Sequence, residues 1–428
     1  MATLNLPQGT YRGLEANDVE SFRGIPFAYH PTRFAPPAPV TLSNPDKRSL
    51  DGEIDATTRG PMCPQTPSRL EMVTGPLPPD TGVLEEGTGC LSIFRPGGIT
   101  LPLPIMVYVH GGGFVSGGSQ VGWYDGERLA REGVIVIPIA YRLGAFGFLY
   151  GSTTSKHALG VQDLITALEW VHANAVSIGG DATRVCTFGQ SAGGYLQQVL
   201  LDAVPHLIRR CIIQSSPGNS AQDVKQAKAS RDLFLASLPQ GRTPETVTTA
   251  EFLAAQTQTF IKNQTGAVPF LPTLEQVPGR SKVTTLQGQK HDIVIGWAAD
   301  DERVFAMMEA GKQRVPLDQA KLPHDKYCTI DEWEAASVAL ANDLRSNGHE
   351  VTLYRLYWKP RGSLLGAVHC IDLPLLLGDA AAWDKAPLKG EATFEEIDVA
   401  GQPLRRMWAQ FARDGTAPTA VHGVLEIR

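Results

Sequence analysis

Acyl transfer needs a nucleophile, a base, a group that orients the base, and donors for a developing oxyanion. Each has a candidate here. Ser191 lies in Arg184 to Gly194, R-V-C-T-F-G-Q-S-A-G-G, where Val185 to Phe188 have the apolar or β-branched character of a strand buried on both faces. Beyond Gly193, Tyr195, Leu196, Val199 and Leu200 recur at helical spacing. Gly189 to Gly193 therefore form a tight strand-to-helix turn that lifts the Ser191 hydroxyl onto an elbow at a helix N-terminus, where negative charge is favoured.

The donor candidates follow another apolar strand. His110-Gly111-Gly112-Gly113-Phe114 comes directly after Ile105 to Val109, and consecutive glycines let backbone N–H groups point at one oxygen. Gly112, Gly113 and Ala192 are the three expected donors. The acid is expected just after the strand Ile293 to Trp297, where Asp300, Asp301 and Glu302 are consecutive. Crowded carboxylates raise one another's pKa, so only one serves as an ionised partner; the residues themselves do no more than favour the middle one. The base should follow the acid. Of the four histidines that do, His349 enters its strand from the wrong end, His324 lies in a proline-flanked loop and His422 in the terminal tail. His369, past the carboxyl end of Val351 to Trp358, occupies the remaining slot.

The elements that must position these groups read as an α/β architecture. Short apolar strands at Ile105 to His110, Val134 to Ala140, Val185 to Phe188, Arg210 to Gln214, Ile293 to Trp297 and Val351 to Trp358 alternate with helices. The strongest helix pattern spans Gly160 to Val176. The rhythm predicts a mostly parallel central sheet with helices on both faces, in one domain over residues 1–428. Helical excursions at about residues 220–290 should cover the carboxyl edge, where open α/β sheets bind ligands. The proline-rich segment Pro31 to Val40 and the stretch Gly60 to Gly89 read as surface excursions.

Composition excludes several functions. A net charge of −6 without a basic cluster disfavours nucleic acid, and no run of apolar residues is long enough to span a membrane. With no signal-like start, a cytoplasmic protein is expected. The six cysteines have no metal-ligand spacing and no nucleotide motif is present, so neither a metal nor another cofactor is expected. Oligomeric state is not legible.

The assembled motifs resemble the type-B carboxylesterases of the α/β-hydrolase superfamily, which include cholinesterases and fungal esterases and lipases. The resemblance runs from about Gly9 to Gly415. It rests on F-R-G-I-P-F-A at Phe22, H-G-G-G-F at His110, Y-R-L-G-A-F-G-F-L at Tyr141, A-L-E-W-V at Ala167, G-G-D at Gly179, G-Q-S-A-G-G at Gly189 and G-A-V-H-C-I-D-L-P at Gly366. It implies a cofactor-free serine hydrolase acting on a small-molecule ester, with Ser191 as nucleophile, His369 as base and Asp301 as acid. It further implies that Ser215 supports the acid, that Gly112, Gly113 and Ala192 form the oxyanion hole, and that Cys63 and Cys90 form a disulfide. Gln190 departs from the glutamate usual in the family, and the acid is aspartate where glutamate is commoner. The short interval between Asp301 and His369 suggests a shallow, open pocket, with Phe114, Trp123, Phe146 and Trp297 as candidate lining aromatics. An acyltransferase or lactone-forming enzyme on the same fold is the alternative.

Overall fold

The computed structural model describes residues 1–41, 52–77, 85, 87–153, 155, 157–217, 221–263, 268–273, 289–312 and 332–428. Among them, twelve strands form one sheet. In chain order these are β1 (Ala2–Leu6), β2 (Gly9–Ala16), β3 (Val19–Pro26), β4 (Glu53–Asp55), β5 (Cys90–Pro96), β6 (Leu103–Val109), β7 (Ile135–Ile139), β8 (Gly180–Gln190), β9 (Arg210–Gln214), β10 (Asp292–Ala298), β11 (Glu350–Leu356) and β12 (Leu425–Ile427). Their spatial order is β1-β2-β3-β5-β7-β6-β8-β9-β10-β11-β12, with β4 on β2. The run from β7 through β11 is parallel, the strands flanking it pair antiparallel, and β4 lies parallel on β2.

All six strands expected from the apolar runs are present, with ends displaced by a few residues. The amino-terminal hairpin β1–β2 is an addition: Ala2, Leu4 and Leu6 alternate with exposed residues, a half-buried pattern too short to stand out. Alternation also builds the two cores. Ile105, Val107 and Val109 of β6 pack on one face of the sheet, and Met106 and Tyr108 on the other. The first face carries helices α1 (Leu159–Asn174) and α2 (Ala192–Ala203). The second carries α7 (Phe394–Asp414), which starts in a Thr393/Glu396 capping box and ends at the left-handed Gly415.

Over the carboxyl side lie α3 (Val224–Leu235) and α4 (Thr249–Lys262), each opened by a capping box and joined through an edge-on Phe234–Phe252 contact at 4.9 Å. These lie within the expected helical covering; residues 220, 264–267 and 274–288 of that span fall outside the described residues. Two further helices, α5 (Arg303–Lys312) and α6 (Glu332–Ser346), follow the acid segment. No helix among the described residues is long and apolar enough to cross a membrane.

The Cys63–Cys90 disulfide implied by the resemblance is not formed. Both are buried thiols with separate partners: Cys90 Sγ donates to Pro61 O at 3.1 Å, and Cys63 Sγ accepts from Leu143 N–H at 3.4 Å. Burial pushes the Cys63 thiol up to about 12, which disfavours the thiolate that disulfide exchange needs.

Candidate active site

The turn from β8 into α2 holds Ser191 at φ 59° and ψ −124°, a region that non-glycine residues rarely enter. Its N–H donates to Gln214 O at 2.9 Å, tying the elbow to the end of β9. Close packing beneath it requires glycine. A Cβ on Gly193 would lie 2.0 Å from Val109 O, inside contact distance.

The loop after β6 abuts this elbow: a Cβ built on Gly111 would come within 3.1 Å of Ser191 Cβ. Gly112 sits at φ 101° because its carbonyl accepts the N–H groups of Val115 and Ser116, and a Cβ there would strike Ser116 O at 2.0 Å. The N–H groups of Gly112, Gly113 and Ala192 find no acceptor among the described residues. His110 anchors the loop from below, its ring stacked on Tyr141 at 4.4 Å and its Nδ1 2.8 Å from Gly111 O. Burial pushes its imidazole down to about 4, so it is neutral.

The three consecutive carboxylates after β10 are distinguished by what they touch. Asp301 is 1% exposed; its Oδ1 accepts from His369 Nδ1 at 2.7 Å, and its Oδ2 accepts from Ser215 Oγ at 2.8 Å and Ala298 N–H at 2.7 Å. Asp300 acts as a clip between the two loops. Its Oδ2 accepts from Ala367 N–H at 2.8 Å, its own N–H donates to Ala367 O at 2.9 Å, and Arg303 holds its Oδ1 at 2.8 Å. Glu302 is only partly buried. Ser215, at φ 43°, ends β9 beside the elbow.

The Ser191–His369 hydrogen bond is not made. With its Nδ1 proton committed to a carboxylate, a neutral imidazole has only a lone pair at Nε2, which must accept. The Gln190 amide fills that role, with Nε2 to Nε2 at 3.2 Å, and Gln190 Oε1 in turn accepts from Cys370 Sγ at 3.6 Å. Ser191 Oγ forms no hydrogen bond among the described residues. The structure thus brings Asp301, Ser215 and His369 into direct contact and leaves the hydroxyl beside them, one residue from the group that occupies the imidazole.

Two further findings escaped the sequence. Trp333 of α6 lies 4.7 Å from the His369 ring and Phe305 of α5 lies 5.2 Å from it, the two aromatics stacking on each other at 5.5 Å. The imidazole is consequently 0% exposed. Of the aromatics named as lining candidates, Trp123 stacks on Trp383 and lines a small cavity with Gly112, Gln190 and Cys370, whereas Phe114 lies edge-on to Tyr195, Phe146 stacks on Phe252 and Trp297 is in the core. Behind the imidazole lies a second buried carboxylate, Asp372, whose Oδ2 accepts from Gln214 Nε2 at 2.6 Å. Burial, then repulsion from Asp301, pushes it up to about 7.

Comparison with known proteins places the chain in a family. The sequence profile of the "Carboxylesterase family" matches residues 1–335. The chain is 33% identical to a probable N-octanoylanthranilate hydrolase, AqdA2, of Rhodococcus erythropolis over 96% of this chain and 93% of that one. It is 28% identical to a para-nitrobenzyl esterase of Bacillus subtilis over 96% and 89%. A solved thermophilic PNB esterase superposes with a TM-score of 0.78 at 26% identity, covering 99% of this chain and 93% of its own. The chain belongs to the carboxylesterase family and is a carboxylic ester hydrolase with the α/β-hydrolase fold.

Proposed function

We propose that Ser191, His369 and Asp301 form a catalytic triad that cleaves esters through an acyl-enzyme. Ser191 Oγ attacks the ester carbonyl while His369 Nε2 takes its proton; Asp301 holds the Nδ1 proton and stabilises the imidazolium. The N–H groups of Gly112, Gly113 and Ala192 receive the oxyanion, each contributing about two to three orders of magnitude in rate. Collapse of the tetrahedral intermediate expels the alcohol, which takes the proton from His369. Water, deprotonated by the same nitrogen, then attacks the acyl-enzyme and releases the free acid.

The observation that carries this reading is the fully buried 2.7 Å bond between His369 Nδ1 and Asp301 Oδ1, which fixes the tautomer with its lone pair at Nε2. The strained Ser191 backbone and the three unoccupied amides support it. Two of the relatives are described as a probable N-octanoylanthranilate hydrolase and a para-nitrobenzyl esterase, so benzyl-type esters and N-acyl arylamides are the substrate classes to try. Hydrolysis of p-nitrophenyl esters by the parent, Ser191→Ala and His369→Ala tests the assignment. Each variant should lose at least about three orders of magnitude in kcat/KM; a variant at parental rate sinks it.

A further inference from the structure

We propose that Gln190 is a positioning residue that latches His369 in the resting enzyme, holding Nε2 as an acceptor and releasing it when substrate brings Ser191 into play. This rests on the triad reading and adds a step that the triad does not contain.

Nε2 has one lone pair, and in the resting structure the Gln190 amide occupies it at 3.2 Å. The same lone pair must accept the Ser191 proton, so the two donors compete for one site. Amide orientation is dictated by chemistry on both sides. Nδ1 donates to Asp301, which leaves Nε2 as acceptor, and the Cys370 thiol donates to Gln190 Oε1. Both ends of the side chain are therefore matched, and the far one is held only by a thiol, a weak donor that yields readily. There is room to yield. Gln190 and Cys370 line a cavity of about 20 Å³ together with Gly112, Ser116 and Tyr124, enough for one water-sized group.

The latch also has an electrostatic consequence. Once Nε2 is protonated it becomes a donor facing the Gln190 donor, so the contact turns from attractive to repulsive. Other charged and titratable groups face the ring from each element packed against it. From the acid loop come Asp301 and the Asp300–Arg303 pair; from the segment after the imidazole come Cys370 and Asp372; from the ends of β8 and β9 come Ser191, Gln214 and Ser215; from α5 and α6 come the uncharged Phe305 and Trp333. Gln190 is thus matched to the neutral ring and mismatched to the protonated one, and the pH profile of a variant without the donor is where the latch should show.

The test is the pH dependence of kcat/KM for a p-nitrophenyl ester, measured on the full chain as parent, Gln190→Glu and Gln190→Met. A carboxylate beside Nε2 traps the imidazolium, so Gln190→Glu should move the acid limb to higher pH by about one unit or more. Gln190→Met, of similar size but without a donor, should move it the same way by about a third of a unit to half a unit. Acid limbs that coincide with the parent's, or that move to lower pH, overturn the latch. Thermal midpoints report whether each variant folds, and the near-isosteric Met variant decides the matter if the Glu variant does not. Ser191→Ala separates the two layers: parental activity in that variant defeats the triad reading, whereas an inactive Ser191→Ala alongside coincident Gln190 limbs defeats the latch alone.

Discussion

Ser215 Oγ donates to Asp301 Oδ2 at 2.8 Å, on the carboxylate oxygen that His369 leaves free. The hydrogen bond fixes the carboxylate plane, so that Oδ1 faces the imidazole. Ala298 N–H supports the same oxygen and survives removal of the hydroxyl. Ser215→Ala should therefore lower kcat/KM by about 10-fold, the cost of one hydrogen bond to a charged group, with KM little changed. Steady-state kinetics on a p-nitrophenyl ester check this; loss of the whole activity would mean that Ser215 does more than brace the acid.

Neighbouring carboxylates should separate by role. Asp301→Asn keeps the shape and removes the charge that, in the proposed triad, stabilises the imidazolium, and should cost about 10⁴-fold in kcat. Asp300→Asn disturbs only the clip to Ala367 and Arg303, and should cost on the order of 10-fold. Glu302→Gln, at a partly buried site, should be near neutral. Parallel kinetics on the three variants give the order directly.

Phe305 and Trp333 wall the imidazole from the α5 and α6 side. Phe305 is 37% exposed, so Phe305→Ala should lower stability by no more than about 1–2 kcal/mol. Trp333 is 9% exposed, and Trp333→Ala should cost about 3 kcal/mol or more. Both should reduce kcat/KM for a p-nitrophenyl ester, because the packing that seats the imidazole is lost. Urea denaturation and steady-state kinetics measure the two effects separately.

Asp372 makes stability depend on pH in a stated direction. Its folded-state value, about 7, lies above the ordinary carboxylate value, so the folded protein binds the extra proton and stability falls as pH rises from about 4 to about 7. The loss is complete above the folded value and absent below the unfolded one, and amounts to at most on the order of 4 kcal/mol. Asp372→Asn keeps an acceptor for Gln214 and should flatten that slope, becoming the more stable form at pH 8. Denaturant midpoints across pH 4–8 for parent and variant check the sign.

The elbow was legible because its signals are local: an apolar run, two glycines around a serine, then helical periodicity, all within Val185 to Leu200. The parallel strands were legible for the same reason, their near-continuous apolar runs marking burial on both faces. What stayed hidden is non-local. Trp333 and Phe305 meet His369 only because α5 and α6 fold back over it, and nothing in their own segments marks that contact. Gln190 read as a missing charge beside the nucleophile; that its amide reaches residue 369 depends on a strand end and a loop 179 positions apart. Asp300 and Asp301 are indistinguishable by type, and their partners emerge only when the loop at Ala367 is docked.

The central claim is that Ser191 becomes acylated with His369 as its base. It is tested most directly by acid-quenching a reaction with excess p-nitrophenyl ester and mapping the covalent adduct by mass spectrometry. One acyl group per chain on the peptide containing Ser191, matched by a stoichiometric burst of p-nitrophenol and absent from Ser191→Ala, is the expected result. Parental turnover by Ser191→Ala, or an acyl group carried on another residue, would contradict it.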